Sequence, residues 1–469
     1  MLYLYSVSGL FRTITILLLF GSTLKGQQVN YDDVGVIVNI NDSASVLIAD
    51  YFMAKRAIPQ GNRINIRVAA REEINQAEFD SLLLQVENAL ADQELSGKLN
   101  YLVTTKGVPL KILRKDPDDK GCNASVESEL MLLHPLNRLY IGECTSGTQI
   151  FTGDYFGNPY FNQNVNFQAY LFGMYLVTRL DAFTVEQVRQ LIDRSGPLTL
   201  VDSTSCQFVF DQAENFKTNE LNQAFVTSSE LLRSRGWQVH LNTDSVFVTE
   251  QDDVLGYASW GSNDSYADSF TVHARPGFSW VNGAIAETHV STSGRSFTPG
   301  TTYGQSLIAD LIEEGASGAK GYVYEPFTKA IAKSNILFER YSRFNDEGAP
   351  KFNLAESYFA ASELIGWMDV VIGDPKTSIT ANKFLTTTKV QRQKHGFNIQ
   401  PIPAIDVATL RFDQVLHDTP IEIRDMAGRL LYSERFDGSI CQLNLSQLQN
   451  GLYLVSCRNE TRRLLKVCP

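Results

Sequence analysis

Two short segments of this 469-residue chain concentrate side chains able to do acid–base or nucleophilic chemistry. Tyr257–Asp264 carries Ser259, Trp260, Asn263 and Asp264, and Ala286–Gly294 carries Glu287, His289, Ser291 and Ser293. An imidazole beside hydroxyls and carboxylates can activate a nucleophile. In that arrangement Ser291 or Ser293 attacks, His289 is the base, and Glu287 or Asp264 orients the ring. The same residues also suit ordinary strand ends and turns, which favour Ser, Asp and Asn without any chemistry. No Gly-x-Ser-x-Gly elbow is present. A metal site of Asp264, Glu287 and His289 ranks last, because neither HExxH nor regular acidic ligand spacing supports it, and no metal or cofactor is expected. The six cysteines are Cys122, Cys144, Cys206, Cys441, Cys457 and Cys468, with no CxxC pair, which excludes zinc ribbons and thioredoxin-like redox motifs. Of the other histidines, His240 falls in a predicted strand, and His134, His273, His395 and His417 fall in loops or the linker.

The elements that must position these groups are short apolar runs alternating with amphipathic stretches from about residue 30 to 385. Predicted strands are Val34–Asn39, Arg63–Val68, Asn100–Thr104, Leu198–Asp202, Trp237–Leu241, Val254–Ser259, Gly283–Glu287, Lys320–Tyr324 and Asp369–Gly373. Several are almost wholly apolar, as strands covered on both faces are. Phe79, Leu82, Leu83, Val86 and Leu90 share one helical face. Leu307, Ile308, Leu311 and Ile312 do so too, closed by Gly315, while Asn41 or Asp42 can cap the helix after the first strand. This rhythm predicts an α/β fold: a mostly parallel, doubly wound sheet with crossover helices. Residues 105–196 lack the rhythm and read as an insertion or lid with one helix near Val185–Asp193. Ligands in such sheets collect beyond the carboxyl ends of the strands. There the sequence offers Asp202, Ser259, Glu287, Glu325 and Asp374, with Trp260 able to stack on a sugar or peptide ring. Ser259, Trp260, Asn263, Asp264, Glu287, Glu325 and Asp374 are therefore the candidate binding residues.

Composition narrows the class. Hydrophobic residues make up 43% and charged residues 20% of the chain, as in a globular protein. The net charge is −11. Residues 401–469 hold eight basic and eight acidic side chains, and residues 1–26 hold only Arg12 and Lys25, so residues 27–400 carry −13. That acidity argues against nucleic-acid binding. Thr13–Phe20 is an apolar run too short to span a bilayer and flanked by positive charge, so residues 1–26 read as a secretory signal peptide. Export permits disulfides, and the local pairings to test are Cys122 with Cys144 and two of the three C-terminal cysteines. The main domain then covers 30–385, a polar linker 386–400, and a small all-β module 401–469 with period-2 alternation and turns.

That module carries Ile421-Glu-Ile-Arg-Asp-Met-Ala-Gly-Arg-Leu, then Leu443-Asn-Leu-Ser-Gln-Leu-Gln-Asn-Gly-Leu-Tyr-Leu-Val, then Arg463-Leu-Leu-Lys-Val. In this order the segments resemble the type A C-terminal sorting domain of type IX secretion cargo in Gram-negative bacteria. The resemblance implies a β-sandwich read by the type IX translocon and removed at the cell surface. It also implies passage through the inner membrane and then secretion or anchoring at the outer-membrane surface. The main domain resembles a family of secreted bacterial proteins of unassigned function through Ala57–Asn62, Gly256–Asn263, Gly283–Thr288, Ser291–Gly294, Gln305–Leu311, Gly321–Pro326 and Gly373–Pro375. More distantly it is similar to gingipain-like cysteine peptidases with a caspase-like sheet. Those place His-Gly at one strand end and a catalytic Cys at the next; here the places read Ser259-Trp260-Gly261 and Glu287-Thr288-His289. No cysteine occurs between Cys206 and Cys441, so a thiol dyad there is absent. Two functions follow as expectations: a degenerate, peptidase-like domain binding a ligand or protein partner, and a serine hydrolase through His289 with Ser291 or Ser293.

Overall fold

The computed structural model describes residues 29–114, 122–134, 157–267, 275–301, 304–345, 348–381, 397–401, 404–425, 428–458 and 460–467. The predicted signal peptide, Cys144, His273, His395, Cys468 and the linker up to residue 396 lie outside the described residues. The chain divides into two compact units, Met1–Thr386 and Thr387–Pro469.

Ten strands build the sheet of the first unit: β1 (Val34–Asn39), β2 (Arg63–Ile66), β3 (Tyr101–Thr105), β4 (Leu176–Leu180), β5 (Gln207–Asp211), β6 (Gln238–Asn242), β7 (Val254–Ser259), β8 (Trp280–Thr288), β9 (Gly318–Tyr322) and β10 (Asp369–Ile372). Their spatial order is β6-β5-β7-β8-β9-β10-β4-β3-β1-β2. Neighbouring strands run parallel, apart from β10, which runs antiparallel to β9 and meets β4 at one pair, Ile372 opposite Arg179. The mostly parallel α/β sheet expected from the alternating pattern is what forms. Every residue of β1 and of β7 is buried, because helices cover both faces.

The helices start and stop where their chemistry directs. Asp42 caps Ser43–Arg56 by accepting from the Ser45 N–H at 3.0 Å. Phe79, Leu82, Leu83, Val86 and Leu90 of Gln76–Asp92 are all buried, and Ile308–Glu314 ends at Gly315, whose φ of 137° favours glycine. Two sheet strands depart from expectation. β4 lies inside the segment read as a lid. It escaped notice because Arg179 interrupts the apolar run, yet that guanidinium is buried between Glu127 (2.8 Å) and Asp181 (2.8 Å). β5 was hidden by its polar ends, Gln207 and Asp211. Conversely, the predicted strand at 198–202 stays out of the main sheet; Thr199–Val201 pairs with Ile379–Ala381 in a separate two-stranded ribbon.

The second unit is all-β: β11 (Phe397–Gln400), β12 (Val407–Asp425), β13 (Leu430–Asn444), β14 (Gly451–Cys457) and β15 (Glu460–Lys466), each paired antiparallel. They form one continuous sheet. Register shifts around Leu416 bend its two long strands, as bulges do, and fold alternate side chains such as Leu410, Ile421, Leu443 and Val455 into a common core. Cys441 joins that core as a free thiol, pushed up to about 11 by burial first and then by Glu434 and Cys457, so the expected C-terminal bridge does not involve it. In the first unit Cys122 is disulfide-bonded and Cys206 is buried.

Candidate functional site

Because β5, β7, β8 and β9 are mutually parallel, their carboxyl ends share one rim. Lys106, just past β3, donates to the Phe297 carbonyl at 3.1 Å and ties that strand end to the loop after β8. The strand order reverses twice, at β5/β7 and at β1/β3, and such switch points are where crevices open in α/β sheets. Both are filled. At β1/β3 a Cβ on Gly107 would lie 2.6 Å from the Asp42 carboxyl carbon. At β5/β7 the filling is aromatic.

Trp260 and His289, from the two segments singled out in the sequence, do meet: the imidazole lies edge-to-face with the indole at 5.0 Å. Phe225 stacks on His289 at 4.9 Å, and Phe216 stacks on Trp260 at 3.8 Å. Asn222 holds the assembly shut. Its Oδ1 accepts the Trp260 Nε1–H at 2.7 Å, while its Nδ2 donates to the Ala213 and Phe216 carbonyls, both at 3.1 Å. The surface arm 212–219 is thereby fastened over the indole. Asn215 adds a bond to the Asn263 carbonyl at 2.9 Å.

His289 is 1% exposed, and neither ring nitrogen has a hydrogen-bond partner among the described residues. Burial, with Lys333 adding to it, pulls its pKa down to about 3, so the ring is neutral. The serine triad is accordingly not assembled. Ser293 is buried with its Oγ unpartnered among the described residues, and Ser291 is half-buried with no bond to the imidazole. Glu287 does not orient the ring either. Its Oε1 accepts from the Tyr322 hydroxyl (3.2 Å) and the Ala332 N–H (3.3 Å), under the helices Ser334–Tyr341 and Leu354–Ala361. Burial first pushes its pKa up to about 8, against the opposing pull of Lys320 and these bonds.

The remaining candidates are scattered or structural. Ser259 Oγ accepts the Gly261 N–H at 3.0 Å, Asn263 Nδ2 donates to the His289 carbonyl at 2.8 Å, and Asp264 Oδ1 accepts the Tyr266 N–H at 2.8 Å. Glu325 follows β9 on the same rim, half-buried and without a bond to these groups among the described residues. Asp374 is on the opposite rim, because β10 is reversed; there Arg56 (2.7 Å) and the Tyr31 hydroxyl (2.8 Å) hold it. Asp202 caps its own turn by accepting from the Thr204 N–H at 2.9 Å. Among the described residues no three of His, Cys, Asp and Glu gather to hold a metal ion. Phe216, Asn222 and Phe225 were missed by sequence reasoning, although a lone aromatic in the polar run Glu214-Asn-Phe-Lys217 is a signal that something packs beneath it. Asp211, at the end of β5, was missed too; burial pushes its carboxyl up to about 7 despite bonds from Asn242 and the Val248 N–H.

Residues 398–467 match the secretion system C-terminal sorting domain family. The match is confined to the second unit and includes the three motifs quoted above. Over the whole chain there is similarity to the crystal structure of the Arg-specific cysteine proteinase gingipain R, at 11% identity, covering 94% of this chain and 99% of that one with a TM-score of 0.42. The Saccharomyces cerevisiae separase–securin complex is similar at 12% identity over 65% of this chain and 17% of that one, with a TM-score of 0.30. No curated protein matches the chain.

Proposed function

We propose that this protein is cargo of the type IX secretion system, carried to the outer surface of a Gram-negative bacterium by its C-terminal unit, and that its α/β unit is a binding module rather than a peptidase. The export half rests on the sorting-domain match over residues 398–467. The binding half is supported by one observation: the two strand-end places where a thiol and its base would stand hold Trp260 and His289 in a closed aromatic stack, with no serine among the described residues bonded to the imidazole. An imidazole sealed from water, out of reach of a nucleophile and made a weak base by burial, is not placed to take a proton from an incoming group.

Deleting residues 401–469 is expected to leave the protein in the periplasm, read by fractionation and surface proteolysis; unchanged surface display refutes the export half. For the α/β unit, incubation of the secreted protein with a fluorophosphonate and with quenched peptide substrates is expected to give neither labelling nor turnover. Labelling abolished by Ser291→Ala or Ser293→Ala establishes a hydrolase instead.

A further inference from the structure

Space for a ligand exists at the other end of the sheet. A cavity of about 480 Å³ opens there, by the residues that precede β1 and β3 and those that follow β10. That volume is in the range of small-molecule sites. Its wall is assembled from separate parts of the chain: Asp33, Tyr101, Gln168, Lys351, Glu356 and Lys376 all border it. The segment contributing Gln168 is the one whose sequence reads as a lid.

Two carboxylates, Asp33 and Glu356, and two ammoniums, Lys351 and Lys376, line the wall, so their formal charges sum to zero. Lys376 Nζ is 2.5 Å from Asp33 Oδ1, donates to the Asn30 carbonyl at 2.5 Å, and lies 5.3 Å from the Tyr101 ring centre. Glu356 accepts the N–H groups of Asn353 (2.9 Å) and Phe167 (2.8 Å) and the Asn166 amide at 3.2 Å. The wall as a whole therefore offers no net charge to a charged ligand. Polar capacity nevertheless remains. The Gln168 side chain makes no hydrogen bond among the described residues, Ser378 Oγ only accepts (from the Leu198 N–H, 3.1 Å), and Lys351 Nζ donates to Asn164 Oδ1 at 3.0 Å and lies 5.3 Å from the Phe352 ring centre. Phe167, Phe352 and Leu198 add apolar wall between these groups.

We infer that this cavity binds a short neutral saccharide. Sugar hydroxyls both donate and accept, which matches an amide, a hydroxyl proton and an ammonium left over from the wall's own pairing, and the C–H faces of the ring suit the apolar patches. The inference rests on the binding reading above and names its site and ligand class.

The test uses the secreted full chain and a panel of maltose, cellobiose, lactose and diacetylchitobiose, read by saturation-transfer NMR and calorimetry, with sialyllactose and a mixed tetrapeptide library as charged and peptidic probes. At least one neutral sugar is expected to bind. Gln168→Ala and Lys351→Met are each expected to weaken it about tenfold, the loss of one hydrogen bond, with unchanged melting temperatures. Gln168 precedes the short helix Ala169–Phe172 as its N-cap residue but makes no side-chain capping bond, and Lys351 is in none of the buried ion pairs. Failure of every neutral sugar to bind, preference for sialyllactose or the peptides, or equal affinity in both variants overturns the inference. Peptide turnover measured on the same sample judges the binding reading separately, so the two can fail independently.

Discussion

His289 is the residue on which the chemistry appears to turn and does not. Its ring is a neutral imidazole used as an aromatic wall, lying between Phe225 and Trp260. Because the folded pKa is near 3 and the unfolded value about 6.5, the unfolded chain binds the proton more readily. Stability from this residue is therefore complete above pH 6.5 and lost as the pH falls towards 3. His289→Phe keeps the stacking and removes two unpartnered nitrogens. Relative to wild type it is expected to gain about 1.4 kcal/mol per pH unit on going down from pH 6.5, measured from urea midpoints at pH 7 and 5. Glu287 has the opposite sign. Its folded pKa near 8 lies above the unfolded one, so its contribution is full below about pH 4.5 and fades as the pH rises through 8. Glu287→Gln is expected to remove that alkaline decline in the same assay. Residue type and spacing thus picked out the right meeting point, Trp260 with His289, but not its character. Whether an imidazole at a strand end is wet or sealed depends on Phe216 and Phe225, which arrive from a distant helix and the arm before it.

At the scale of elements, the arm 212–219 and strand β4 show what periodicity can and cannot reveal. Helices with a 3.6-residue apolar stripe, such as Gln76–Asp92, were plain in the sequence. β4 was not, because a central strand carrying Arg179 is legible only once Glu127 and Asp181 are known to face it. Arg179→Met is expected to cost about 3–5 kcal/mol, seen in denaturant unfolding, since it leaves the buried Glu127 without its cation and Asp181 with Lys106 alone at 3.2 Å. For the arm, Asn222→Ala releases two carbonyls and the Trp260 N–H together. Hydrogen exchange over residues 212–219 is expected to quicken markedly, at a global cost of about 1–3 kcal/mol. Unchanged exchange would mean that the Phe216 stack and the bonds of Glu214 and Asn215 suffice to fasten the arm.

Over the whole molecule, sequence pattern was most informative where structure is most local. The second unit declares itself through alternating residues and turns within a single run of chain, and its motifs coincide with β12, β14 and β15. The first unit's sheet mixes strands from across 340 residues, and the reversal of β10, which sends Asp374 to the far rim, has no signature along the chain. The same reversal explains why a search confined to carboxyl ends passes over the cavity beside Lys376. If the second unit is a self-sufficient address, grafting residues 387–469 onto an unrelated periplasmic protein is expected to bring that protein to the cell surface; retention inside would show that the first unit is also read. The buried thiol of Cys441 bears on such a journey. With a pKa near 11 it holds almost no thiolate at neutral pH, and thiolate is what oxidants and mixed disulfides require. At that position an oxidising compartment therefore finds little reactive sulfur while the core stays folded.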